Sequence, residues 1–177
     1  MSEITVEFAS ANDLPGLSVL ATQAFVGAWG PVVGDFFARA YAERQLTPAA
    51  LGADIYAHPE QYLIARDAAG ALLGYARIDP QAQAPAAVVE QIGRPVLLQR
   101  LYLAQAAWGS GAGSVLHARA RELALQNGDG VWLVTDPRNA RAWAFYLKLG
   151  YRDCCAYPYE YAAGRCNEQC RALVAAA

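Results

Sequence analysis

A glycine-rich stretch in the second half of the chain has the composition of a phosphate-binding turn. Gly109, Gly111 and Gly113 alternate with small residues, after an apolar run and before a helix-like stretch. The first turn of a helix presents unpaired N–H groups and a positive dipole end, and glycines let phosphate oxygens approach the backbone. A dinucleotide fingerprint would need a glycine at Ser114, and a P-loop would need a lysine before Ser or Thr. The stretch therefore predicts either an anion site of another kind or a tight turn without a ligand.

A later helical segment carries two further side chains that can do chemistry, Asn139 and Tyr146. Ala142, Phe145, Tyr146 and Leu149 follow i, i+3, i+4, i+7 spacing, which is typical of a buried helix face. The pattern alone makes Tyr146 a core tyrosine whose hydroxyl finds some partner. Asn139 has the residue type and the position of a helix N-cap.

These residues lie in a segment that alternates strands and helices. Period-2 and period-3.6 patterns predict strands over 96–103 and 130–135 and helices over 113–127 and 137–150. The fold class is therefore α+β, with a strand–helix–strand–helix segment in the second half. In the first half we expect a strand over 4–9, helices over 10–25, 32–46 and 47–57, and a hairpin of strands 61–67 and 71–78. A loop should follow over 80–95. The chain should end in two strands around a turn at Gly164, with a helix over the last part as the alternative.

This run of the chain resembles the Gcn5-related N-acetyltransferase (GNAT) superfamily. The family's acetyl-CoA signature is Q/R-x-x-G-x-G/A; Gly111 and Gly113 fill its glycine positions, and Trp108 stands where Gln or Arg is usual. The second signature is "NARAWAFYLKLG", from Asn139 to Gly150. The resemblance implies a mixed α/β fold with a mostly antiparallel sheet of about seven strands, a βαβα acetyl-CoA-binding segment and helices on both faces. It also implies one acetyltransferase domain over 1–177, with its coenzyme-binding core at about 97–150.

The resemblance also implies a role for each matching residue. The backbone of Ser110–Ser114 would hold the pyrophosphate of coenzyme A, and backbone groups of Leu101 and Leu103 would pair with the pantetheine arm. Asn139 would bond to the same arm, and Tyr146 would protonate the departing thiolate as the catalytic residue. The expected coenzyme-binding residues are Leu101, Tyr102, Leu103, Trp108, Gly109, Ser110, Gly111, Ala112, Gly113, Ser114, Asn139, Arg141 and Tyr146. Arg141 and Lys148 are expected to face solvent, where one of them could reach a coenzyme phosphate.

The implied activity is transfer of an acetyl group from acetyl-CoA to a primary amine by direct attack through a tetrahedral intermediate. Three acceptor hypotheses follow: a small molecule, as in the bacterial polyamine branch that the motifs most resemble; a protein N-terminus or lysine; or no acceptor, in a coenzyme-binding sensor. Gln99 stands where relatives often carry an acidic base, and Asp79, Glu90 or a water chain are the substitutes. The possible acceptor cleft is aromatic (Phe25, Trp29 and Tyr102), so it suits an apolar or aromatic amine as readily as a polycation.

Composition narrows the remaining classes of partner. The formal net charge is −2 and Lys and Arg do not cluster, which argues against nucleic acid. No apolar run reaches the ~18 residues of a membrane span, and the first residues lack a secretory pattern. We therefore expect a cytoplasmic protein, monomeric or homodimeric. No common zinc spacing matches the four cysteines, Cys154, Cys155, Cys166 and Cys170, so no metal is expected. We expect their thiols to be reduced and to pack as small apolar side chains.

The two histidines are assigned no chemistry. His117 lies off the apolar face of its predicted helix and is expected to be exposed. His58, beside Pro59, is expected in a loop.

Overall fold

The computed structural model describes residues 3–162 and 165–177, which form six α-helices and nine β-strands. The helices are α1 Leu14–Val33, α2 Asp35–Gln45, α3 Pro48–Ala57, α4 Ala86–Ile92, α5 Ala112–Leu125 and α6 Ala140–Lys148. The strands are β1 Ile4–Phe8, β2 Tyr62–Asp67, β3 Leu72–Asp79, β4 Pro95–Leu103, β5 Gly130–Thr135, β6 Arg152–Ala156, β7 Tyr159–Ala162, β8 Arg165–Asn167 and β9 Arg171–Ala176.

Seven strands form the central sheet, in the order β1-β2-β3-β4-β5-β9-β6. Every pairing is antiparallel except that of β4 with β5, and β7 and β8 form a separate two-stranded ribbon. Helices α5 and α6 pack on one face. Helices α1–α3 cover β2–β4 on the other face, beside α4, which covers β5 and β9. The expected mixed α/β fold, with about seven mostly antiparallel strands and helices on both faces, is confirmed.

Strand β4 contains one extra residue, Gln99. Arg77 of β3 pairs with Arg100, but the next residue, Ile78, pairs with Leu98, so Gln99 lies in a β-bulge. Without the bulge, the side chain of Arg100 would lie on the same face as that of Leu98, because strand side chains alternate. The bulge turns Arg100 and Tyr102 toward α1–α3 instead, and places Leu101 with the α5 side of the core.

The parallel pair β4–β5 is short. Pro95–Leu97 pairs with Gly130–Trp132, and the register goes no further. Beyond Leu97 the two strands separate, so the remaining edge of β4 is left without a strand partner on that side. This separation opens the cleft described below.

The prediction of a loop over 80–95 is wrong in its middle part, because helix α4 occupies Ala86–Ile92. Val88 and Ile92, four residues apart, are buried against Trp132 and Val174, and Gly93 ends the helix at a φ of 78°. The prolines and alanines around this short helix hid the two apolar anchors, whose burial depends on tertiary packing.

The C-terminal region contains four strands instead of the predicted two. The predicted turn at Gly164 lies outside the described residues. The alanine-rich end is strand β9, not a helix: Ala172–Ala175 is buried between β5 and β6, and a strand covered on both faces shows no alternation. The four cysteines are free, and Cys154 and Cys155 pack against the α4 cluster. No group of three or more potential metal ligands occurs in residues 3–162 or 165–177.

The run Ala11–Val33 is long and apolar enough, by length and composition, to cross a membrane. Core helices meet the same test, and α1 buries Leu17, Leu20, Ala21 and Phe25 against α2, α3 and the sheet. Burial of this face accounts for the apolar residues that point into the protein.

His117 is buried, not exposed as predicted, and only 3% of its surface is accessible. Its Nε2 atom lies 3.0 Å from the Tyr151 hydroxyl, across from α5. Burial, and next the charge of Arg121, lower the pKa of His117 from 6.5 to about 4. The folded protein therefore holds this imidazole neutral. His58 ends α3 and leads into a short 3-10 turn, as a loop position would.

We expect His117→Gln to change how stability depends on pH. The unfolded chain binds a proton on His117 near pH 6.5, whereas the folded protein does so only near pH 4. The stabilisation is complete above pH 6.5 and is lost as the pH falls toward 4. The advantage of the wild type over the variant in free energy of unfolding should therefore shrink by about 2–3 kcal/mol between pH 7.5 and 4.5.

Urea unfolding at the two pH values measures this difference. His58→Gln, at the other histidine, is the control and should follow the wild type. A constant difference between wild type and His117→Gln would contradict the assignment.

Candidate active site

A cleft of about 740 Å³ lies where β4 and β5 separate. It brings together the three segments that the sequence singled out: the free edge of β4, the glycine-rich turn before α5, and the start of α6. The predicted residues that line it are Leu101, Tyr102, Leu103, Trp108, Gly109, Gly111, Ser114, Asn139, Arg141 and Tyr146. Ser110, Ala112 and Gly113 belong to the same turn but do not line the cleft.

The glycine-rich turn presents unpaired N–H groups at the N-terminus of α5. Gly109 and Gly111 have φ values of 79° and 91°, which side chains rarely adopt, and Gly111 is the N-cap. Among the hydrogen bonds of the described residues, the N–H groups of Gly109, Gly111 and Gly113 have no acceptor. A phosphate oxygen supplies the acceptors that such a turn lacks.

Gly113 and Ser110 shape this turn from inside. A Cβ atom on Gly113 would lie 3.1 Å from Leu103 Cδ1 and 3.4 Å from the Phe145 ring. Gly113 therefore lets α5 pack closely on β4 and α6. The Ser110 hydroxyl donates to the Ala107 carbonyl at 2.7 Å and accepts from the Ala112 N–H at 3.2 Å.

Positive charge surrounds the outer part of the cleft. Arg138, Arg141 and Lys148 line it, and no described lining residue is an aspartate, glutamate or histidine. The Arg141 guanidinium lies 3.4 Å from the centre of the Trp108 ring, a cation–π contact. Trp108, which departs from the usual Gln or Arg, therefore holds an arginine in place. This charge distribution suits a polyanionic ligand.

Asn139 is both a helix cap and a cleft residue. Its Oδ1 accepts the Ala142 N–H at 3.3 Å, and its Nδ2 has no acceptor among the described residues. The preceding turn is anchored by buried Asp136, which accepts hydrogen bonds from Arg138 and from Asn167. Burial alone would raise the pKa of Asp136, but these hydrogen bonds outweigh it and the pKa is lowered. Asp136 therefore stays ionised and fixes the entry to α6.

Tyr146, on α6, lines the cleft. The residue is 8% exposed, and its ring packs edge-on against Phe145 and Tyr151. Its hydroxyl makes no hydrogen bond within the described parts of the chain. Burial raises the pKa of Tyr146, so the phenol keeps its proton at physiological pH.

A second cavity of about 230 Å³, here called the aromatic chamber, adjoins the cleft. Trp29, Leu98, Gln99, Tyr102 and Val134 line both cavities. The predicted aromatic residues Phe25, Trp29 and Tyr102 do come together in its wall, and the Trp29 indole donates to the Tyr102 hydroxyl at 2.9 Å. The other lining residues are Tyr41, Leu97, Arg100, Trp132, Tyr157 and Tyr159.

Sequence reasoning missed Arg100, the charged residue of the chamber. A lone arginine within the apolar strand "VLLQRLYL" was the available signal, but only the bulge at Gln99 decides which face it takes. Asp79 and Glu90, the suggested substitutes for a base, line neither cavity. Gln99 lies at the junction of the two cavities, and its Oε1 accepts a hydrogen bond from Arg77.

The fold and the cleft together define a protein that binds a phosphate-bearing coenzyme between two separating strands. The model of the acetyltransferase (GNAT) family matches residues 31–151, so the chain belongs to this family. The resemblance in the two sequence signatures is thereby confirmed.

Solved structures show the same fold. The PaiA N-acetyltransferase of Thermoplasma acidophilum in complex with coenzyme A has 16% identity and a TM-score of 0.75, with 99% of each chain covered. A spermidine N-acetyltransferase of Vibrio cholerae, solved with CoA and spermine, has 15% identity and a TM-score of 0.69, covering 98% of this chain and 95% of that one. A ribosomal-protein-alanine N-acetyltransferase of Brucella melitensis has 19% identity and a TM-score of 0.67, covering 98% and 99%. No curated protein matches the sequence.

The cleft fits acetyl-CoA, the acetyl donor of the family. Its glycine-rich turn has free N–H donors for the pyrophosphate, its rim is cationic, and the edge of β4 is open to an extended arm. The protein is an acetyl-CoA-dependent N-acetyltransferase.

Gly111→Ala tests the turn, with Gly70→Ala as a matched control. Both glycines have positive φ values, 91° and 82°, and open space around the position of a Cβ atom. Each replacement should cost about 1 kcal/mol of stability. Only Gly111→Ala should also raise the Kd for coenzyme A, by roughly five- to thirtyfold, because it disturbs the N–H groups at the start of α5.

Isothermal titration calorimetry with coenzyme A measures the two affinities. Equal Kd values in the two variants would show that the turn does not hold the coenzyme.

Proposed function

We propose that the protein acetylates the primary amine of a small molecule. The observation that carries this proposal is the aromatic chamber, which meets the cleft at Gln99 and Tyr102. A cavity of about 230 Å³ is large enough for one small molecule, and small-molecule sites are concave, apolar and lined by a few polar groups. A protein chain would need an open groove in its place.

Acetyl-CoA supplies a thioester whose carbonyl carbon the amine attacks. Negative charge then builds on the carbonyl oxygen, and the backbone of β4 at Leu101–Leu103, which lines the cleft, supplies N–H donors to stabilise it. The free Nδ2 of Asn139 orients the pantetheine arm. The N–H groups of the glycine-rich turn and the cations of the rim hold the phosphates.

Tyr146 donates a proton to the departing thiolate, and the proton that the attacking nitrogen sheds as the amide forms restores the phenol. Its raised pKa keeps the phenol protonated until a base appears in contact with it. A thiolate, whose parent thiol has a pKa of about 8.5, is such a base when it forms beside the phenol.

The amine must lose its own proton without a protein carboxylate. No aspartate, glutamate or histidine occurs among the described residues that line the cleft or the chamber. Gln99 cannot accept a proton, and its amide oxygen is already bonded to Arg77. We infer that the proton passes to water and that the neutral amine attacks.

An acceptor panel scored by coenzyme A release tests the proposed function. It compares small primary amines, including phenethylamine, spermidine and amino acids, with peptides that carry a free N-terminus or lysine. Faster turnover of any small amine supports the proposal. Faster turnover of a peptide indicates a protein acetyltransferase, and tight acetyl-CoA binding without turnover of any amine indicates a sensor.

Tyr146→Phe should lower kcat about 100-fold, because it removes the proton donor. The Kd for coenzyme A should stay within about twofold, since the ring that packs against Phe145 and Tyr151 remains. Steady-state kinetics on the best acceptor of the panel gives the result.

Tyr151→Phe is the matched control, because Tyr151 lies beside Tyr146 but its hydroxyl contacts His117. It should reduce stability and leave kcat unchanged. Equal kcat values for Tyr146→Phe and the wild type would make Tyr146 a packing residue only.

A further inference from the structure

Arg100 is a cation in the wall of an otherwise aromatic chamber. It is partly buried, and its Nη1 and Nη2 atoms donate to the hydroxyls of Tyr62 and Tyr41 at 3.3 and 3.5 Å. Both distances are long for hydrogen bonds. The buried hydroxyl of Tyr75 also lies close to this guanidinium. The guanidinium is therefore only weakly satisfied by the protein.

No carboxylate of the described residues forms an ion pair with Arg100. Asp54, the carboxylate behind Tyr62, already accepts hydrogen bonds from Arg77 and from the Tyr62 hydroxyl. Burial raises the pKa values of Tyr62, Tyr102 and Tyr159, so these hydroxyls are neutral and cannot balance the charge.

A second hydrogen-bond donor in the chamber wall lacks an acceptor. The indole Nε1 of Trp132 is buried, and it has no acceptor within the described residues. Buried donors without acceptors are rare, and each one costs free energy until an acceptor arrives. A ligand that brings oxygen acceptors and negative charge would satisfy both Arg100 and Trp132.

We propose that the acceptor carries a carboxylate as well as its amine, and that Arg100 binds this carboxylate. The proposal rests on the acetyltransferase function proposed above. The apolar or aromatic body lies against the rings of Phe25, Tyr41 and Trp29, and the amino group points toward Gln99 and the cleft. A polycation fits this chamber poorly, because Arg100 would repel it.

Matched acceptors that differ only in the carboxylate test this proposal. L-Phenylalanine is compared with phenethylamine, and L-leucine with 3-methylbutylamine. In the pair that is acetylated faster, we expect kcat/KM for the amino acid to be at least about 100-fold higher than for the plain amine, mostly through a lower KM. Arg100→Gln should remove this preference by lowering kcat/KM for the acid about 100-fold, with the plain amine changed less than about threefold. Arg100→Lys, which keeps the charge without the planar fork, should fall between.

Arg152→Gln is the control for an arginine replacement as such. Arg152 is exposed on the edge strand β6 and lines neither cavity. It should match the wild type with every acceptor. If Arg100→Gln does not fold, the comparison of wild type, Arg100→Lys and the acceptor pairs still decides the question.

A binding measurement separates failure of this proposal from failure of the proposed function. Thermal shift with acetyl-CoA establishes that each variant keeps its coenzyme site, and calorimetry with L-phenylalanine and L-leucine on the CoA-loaded protein measures carboxylate binding without turnover. Binding to wild type but not to Arg100→Gln supports the carboxylate site even if no amine is acetylated. Acetylation of plain amines or spermidine in preference to the acids, or equal effects of Arg100→Gln on both members of a pair, overturns it and leaves the acetyltransferase function standing.

Discussion

The functional architecture depends on where the parallel pairing of β4 and β5 stops. After the Leu97–Trp132 pair the strands separate, and the edge of β4 keeps its hydrogen-bonding groups free. A buried strand edge without a partner is unfavourable unless a ligand or water satisfies it. The same separation places the N-terminus of α5 and the start of α6 on the two sides of one cleft. The cleft thus follows from an interrupted ladder rather than from any single side chain.

Because of the bulge at Gln99, the backbone edge and the side chains of β4 can contact different ligands. Because one residue is inserted, Leu101 joins the core under α5, while Arg100 and Tyr102 turn toward α1 and α2. One strand can therefore offer its edge to an acetyl donor and its side chains to an acceptor on the other face. Bulges commonly redirect side chains in this way next to active sites.

Local features of the sequence were sufficient for the coenzyme half of the molecule. The glycine-rich turn, the α6 motif and the strands beside them are contiguous, and their patterns hold without tertiary context. Helix α4, buried His117 and the placement of Arg100 depend on contacts between distant segments. Val88 anchors α4 only because Trp132 lies opposite, and His117 is buried with its Nε2 atom in contact with the Tyr151 hydroxyl. Hydrophobic periodicity and composition do not reveal such contacts between distant segments.

None of the described residues that line the two cavities is a carboxylate, and this affects both the binding of the coenzyme and the protonation of the amine. An acidic residue at position 99 would pair with Arg77 and could accept a proton, but it would also raise the pKa of a nearby ammonium. The amide of Gln99 bonds to Arg77 without adding charge. The described residues that line the two cavities therefore include positive charges and no negative ones. In the proposed reaction such a site attracts the phosphates of the donor, disfavours an ammonium ion and leaves solvent water to take the proton.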